Sequence, residues 1–94
     1  MTEASLRSAA EAGDVAAMVA YGQFLYYDDE QDEAAEWFLK AAGLGDAEAM
    51  AGLGDYYDFM GDEEESLRWY RRGAELGDES ARANLEALLV MREG

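Results

Sequence analysis

The chain is 94 residues long and sets 22 acidic against 7 basic residues, a formal net charge of −15, with no cysteine, histidine or proline. That length holds one domain with a thin core, burying roughly 60–65% of the unfolded surface, and a half-hydrophobic composition excludes wholesale disorder. The missing residue types exclude disulfides, thiolate or imidazole metal sites and a histidine general base, while the charge opposes nucleic acid and anionic lipid.

Met1–Ala12 reads as a single helix, closed by Gly13 in a left-handed turn with Asp14 capping the helix that follows. Met18, Tyr21, Gly22 and Leu25 fall at helical spacing, which predicts a helix over Val15–Tyr27. The acidic turn Asp28-Asp29-Glu30-Gln31 comes next. Asp32 is then the expected cap of a helix over Glu33–Ala42, with Ala34, Trp37, Phe38, Ala41 and Ala42 on its apolar face. After Gly45 the pattern starts again. Asp46 caps a helix over Ala47–Phe59, Asp62 with Glu65 opens one over Glu63–Glu75 as a capping box, and a last helix lies within 78–94.

This recurrence is an internal repeat of 32 residues. Laid without gaps on Asp46–Gly77, the segment Asp14–Gly45 matches at Asp14, Ala17, Met18, Gly22, Glu33, Trp37, Ala42, Leu44 and Gly45. Each unit is a helix A followed by a helix B. In the same register Ser5 stands where the tryptophans do, and Arg82 and Glu86 replace Met18/Met50 and Gly22/Gly54. The expected order is therefore a half repeat (1–13), two repeats (14–45 and 46–77) and a capping helix (78–94), running B–A–B–A–B–A.

Gly-Asp-x-x-Ala-Met-x-x-x-Gly in helix A and Trp-Phe/Tyr-x-x-Ala/Gly-Ala in helix B resemble the Sel-one-like repeat, a relative of the tetratricopeptide repeat. The resemblance covers nearly the whole chain; the short A–B turn departs from the longer, glycine- and proline-containing turn usual in the family. It implies an all-α, right-handed solenoid of antiparallel helix pairs with a scaffold role. It also implies that the ligand-facing positions are Ala16, Val19, Gln23, Tyr26 and Tyr27, then Glu48, Ala51, Asp55, Asp58 and Phe59, then Ser80, Ala83, Ala87, Val90 and Met91. Among them Gln23, Tyr26, Tyr27, Asp55, Asp58 and Phe59 form the expected partner-binding site, since aromatic rings beside carboxylates suit a basic or apolar segment.

Other features read as structural. Trp37 and Trp69 are expected in the core, and Gly22 and Gly54 at close helix approaches. Neither Asp28–Glu33 nor the cluster of Asp58, Asp62, Glu63, Glu64 and Glu65 has calcium-loop spacing. Arg68, Arg71 and Arg72 have Glu64, Glu65 and Glu75 within a turn for pairing. The candidate nucleophiles, Thr2, Ser5, Ser8, Ser66, Ser80, Lys40 and the tyrosines, have no imidazole to activate them, so neither catalysis nor a cofactor is expected. The longest apolar run, Val15 to Tyr21, is far short of the ~20 residues of a membrane span, and Met1-Thr2-Glu3 opens no signal-peptide pattern, so a cytoplasmic location is expected. The expectation is a protein-binding adaptor, monomeric or weakly self-associating. The alternatives are an immunity or antitoxin-type protein neutralising a basic toxin, and a designed or purely structural solenoid.

Overall fold

The computed structural model describes residues 2–93 and is all-helical. Among those residues there are six helices and no strand: α1 (Glu3–Glu11), α2 (Val15–Tyr27), α3 (Gln31–Gly43), α4 (Ala47–Phe59), α5 (Glu63–Glu75) and α6 (Glu79–Glu93). Met1 and Gly94, which the sequence reading places in the terminal helices, lie outside the described residues. None of the six is long and apolar enough to cross a membrane.

The helices are separated by one backbone device used five times. Residues 13, 29, 45, 61 and 77, sixteen apart, all take left-handed φ between +63° and +98°. At each, the next residue's N–H reaches back five residues, as Asp14 does to the Ala9 carbonyl (3.1 Å) and Asp62 to that of Tyr57 (2.8 Å). This is the hydrogen-bonded stop that satisfies the last carbonyls of a helix. Glycine supplies the conformation at four of the five positions, and Asp29 adopts it at the fifth.

The same stops hand the chain to the next cap. The side chains of Asp14, Asp62 and Asp78 accept from the N–H groups of Ala17, Glu65 and Ala81 at 2.9 to 3.1 Å. Asp32 does not cap α3. The Asp29 turn brings Glu30 N–H to the Leu25 carbonyl, so Glu30 takes the cap position without a side-chain bond and helix begins at Gln31. Asp32 and Glu33 sit in the first turn, where the helix dipole favours acidic groups. Gln31 instead donates through Nε2 to the Tyr26 carbonyl (3.1 Å).

The chain folds as two compact units, one ending at Asp46 and the other starting at Ala47. In the first, α2 packs against α1 and α3. A Cβ at Gly22 would stand 2.7 Å from Cε1 of Phe38, so the missing side chain is what admits that ring. In the second, α4 packs against α5 and α6, and α5 against α6. Gly54 repeats the role of Gly22 more tightly: its Cβ would lie 2.3 Å from the Tyr70 ring. Buried Ser66 closes the same contact by donating to the Gly54 carbonyl (2.8 Å).

The core differs from expectation at the tryptophans. Phe38 and Tyr70 are buried, and Trp37 and Trp69, one residue earlier, are only half-buried. One helical step is about 100° of rotation, so only one of two consecutive rings can face the glycine seam. Trp37 lies edge-on to Tyr21 (5.7 Å between centroids) with Lys40 Nζ 4.4 Å over its outer face, and Arg72 stands 4.7 Å over Trp69.

Candidate functional site

The C-terminal half of α2 carries Gln23, Tyr26 and Tyr27. Gln23 and Tyr27 are exposed, Tyr27 at 85%, while Tyr26 is half-buried and meets Tyr27 edge to face, with centroids 5.7 Å apart. Gln23 and Tyr27 line an open depression of about 430 Å³ together with Ala20, Phe24 and Asp28. The spacing i, i+3, i+4, i+7, i+8 makes this one face of one helix. Its far end is acidic, because Asp28, Asp29 and Glu30 follow directly and the last turn of α2 holds no basic residue.

In the second unit the expected site residues divide by role. Asp58 and Phe59 are exposed, Phe59 at 60%. Asp55 is half-buried and already engaged: its Oδ1 accepts from the Tyr70 hydroxyl of α5 and from Asn84 Nδ2 of α6 (3.3 Å). Burial raises the Asp55 carboxyl above the usual aspartate range, with Asp58 and Asp78 adding to the rise and the Tyr70 bond opposing it. Burial and the neighbouring carboxylate likewise push the Tyr70 phenol upward, which keeps it a donor. Asp55 therefore joins three helices.

Two further positions expected to face a ligand, Val19 and Ala51, are buried. Small apolar side chains in the middle of helix A fill space between helices. Exposure follows expectation better at the outer end of helix A, where Val90 and Met91 are exposed. Phe24, 39% exposed, and Met60, 55% exposed, belong to the same surfaces and were missed. Phe24 shares the α2 face with Gln23 and Tyr27, so a count along that helix finds it, whereas Met60 follows the end of α4 and no helical count reaches it. The Asp55–Tyr70 link also left a trace in the sequence: between the repeats Gln23 and Phe38 change together to Asp55 and Tyr70.

Aromatic faces beside carboxylates bind cationic side chains while covering apolar ones. Among the described residues no cluster of three or more acidic side chains is placed to hold a metal ion, and every buried side-chain nitrogen or oxygen has a hydrogen-bond partner. No protein-family model matches the chain, and a search of curated proteins finds no match.

Proposed function

We propose that this chain is a cytoplasmic protein-binding adaptor of the Sel-one-like type, taking a basic or apolar segment of a partner protein on its A helices. One observation carries the reading. Tyr27, Phe59 and Met91 occupy the same repeat position on α2, α4 and α6, and all three are large apolar side chains left 85%, 60% and 74% exposed. Scattered exposed apolar residues are ordinary, but recurrence at one register position in α2, α4 and α6 marks a position kept for contact in each unit. Asp58 beside Phe59 and Asp28 beside Tyr27 add charge for lysine or arginine. The net charge of −15 supports a second version of the same binding role, an immunity-type protein that covers a basic toxin.

A displayed library of random peptides, panned on the full chain at low and moderate salt, tests the proposal. Enriched peptides should combine apolar residues with lysine or arginine. Tyr27→Ala with Phe59→Ala should weaken them by more than about 2 kcal/mol, with circular dichroism unchanged. Asp58→Lys should slow association and flatten its salt dependence; Asp55 is unsuited to that test because it bonds Tyr70 and Asn84. Affinity that survives these changes and is abolished at Arg68, Arg71 or Arg72 places the site on a B helix and refutes the reading.

A further inference from the structure

The repeat makes α6 a template for α2. Residues 64 apart correspond, so Asn84 and Leu88 of α6 stand where Ala20 and Phe24 stand on α2. In the second unit another A helix lies against part of this edge of α6, where Asn84 and Leu88 are half-buried, and leaves Met91, the counterpart of Tyr27, 74% exposed. Asn84 reaches Asp55 of α4, and Leu85 and Leu88 pack against the cluster of Ala51, Tyr70 and Ala81. The corresponding edge of α2 is open. Ala20, Gln23, Phe24, Tyr27 and Asp28 line a depression there, and Phe24, the counterpart of half-buried Leu88, projects a ring into it.

We propose that this edge of α2 docks a helix from a partner protein, with alanine-sized residues against Phe24 and lysine or arginine toward Asp28 and Asp29. The inference rests on the adaptor reading and narrows it to a helical partner at a defined edge. A helix fits because α4 already lies against this edge of α6. Its contacting side chains are small because α4 contributes Ala51 to the cluster that Leu85 and Leu88 pack against, whereas α2 sets the larger Phe24 ring at the Leu88 position. It is basic because the end of α2 concentrates negative charge: Asp28, Asp29 and Glu30 sit where the helix dipole is also negative, without a basic residue in the last turn. A second copy of the chain, itself carrying −15, would bring like charge to that end.

The test uses a fluorescein-labelled peptide of about 16 residues, long enough to be partly helical alone, with an alanine stripe flanked by lysines. Its anisotropy is titrated with the full chain. Binding should fall at least about tenfold with Phe24→Ser and with Asp28→Lys, persist with Phe59→Ser, and weaken when leucine replaces the stripe alanines. Circular dichroism of the variants should match the parent.

Equal binding of a scrambled peptide of the same composition means charge alone and overturns the inference. So does loss at Phe59→Ser with none at Phe24→Ser, an outcome that leaves the adaptor reading standing. Failure of the parent chain to bind the peptide overturns the edge assignment, and the library panning judges the wider proposal separately. Concentration-dependent sedimentation that Phe24→Ser abolishes names a second copy as the occupant and overturns the partner assignment.

Discussion

Replacing Gly54 by alanine is the sharpest test of the glycine seam, because two effects of opposite sign meet there. In a helix interior alanine is favoured over glycine by about 1 kcal/mol. Against that, the new Cβ would stand 2.3 Å from Cδ1 and Cε1 of Tyr70, where ordinary contact starts near 3.4 Å. The ring must move by about 1 Å in a close-packed seam, at a typical cost of 1–3 kcal/mol. Tyr70 cannot slide freely, since its hydroxyl is bonded to Asp55, and a strained or broken bond to a carboxylate adds about 1–2 kcal/mol. The net expectation is a loss of about 2–3 kcal/mol. Gly22→Ala meets the Phe38 ring at 2.7 Å, with no hydroxyl pinning that ring, and should lose about 1 kcal/mol. Gly43→Ala meets nothing within 4 Å and should be neutral or slightly stabilising. Urea unfolding followed by tryptophan fluorescence measures all three, with unchanged m-values as the control. A Gly54→Ala variant as stable as the parent, or a reversed order among the three, would refute this account of the packing.

Asp29→Gly should raise stability by about 1 kcal/mol, seen as a higher Tm, because Asp29 is the only non-glycine residue described at positive φ and also faces the negative end of α2. Phe38→Ala should cost about 3–5 kcal/mol and Trp37→Ala distinctly less, since Phe38 is buried while Trp37 keeps one face toward Lys40 and solvent; denaturant midpoints give the order, and a costlier Trp37→Ala would contradict the packing described. Asp55→Asn should flatten the pH dependence of stability just above the ordinary aspartate range. The folded carboxyl has the higher pKa, so the folded state binds the proton more tightly, and this group's contribution declines as pH rises from the unfolded value through the folded one. The asparagine oxygen can still accept from Tyr70 and Asn84, so thermal melts from pH 4 to 7 should differ in slope more than in height.

Much of the local architecture was open to reading because its signals act over a few residues. α2, α4 and α5 run over the residues expected from apolar spacing, from aspartate caps and from glycine stops. Gly22 and Gly54 were legible as close approaches, because a mid-helix glycine is costly unless something needs the space. At the start of α3 the same logic failed. Asp32 is a good cap by type, but Asp29 had already set a left-handed turn that starts the helix earlier, and a non-glycine residue gives little notice of that conformation.

What lay beyond the sequence was decided by direction and by third partners. Trp37 and Phe38 are adjacent and both aromatic, and only the rotation of α3 against Gly22 determines which ring is buried. Asp55 looks like an ordinary surface carboxylate on an acidic helix until α5 brings Tyr70 to it and α6 brings Asn84. The expected binding residues were judged by helix position alone. Position alone cannot separate exposed Tyr27 and Phe59 from buried Val19 and Ala51, because exposure at a register position depends on what packs beside it. Period and caps are properties of the chain, whereas burial, the pKa of Asp55 and the open edge of α2 arise only when helices meet.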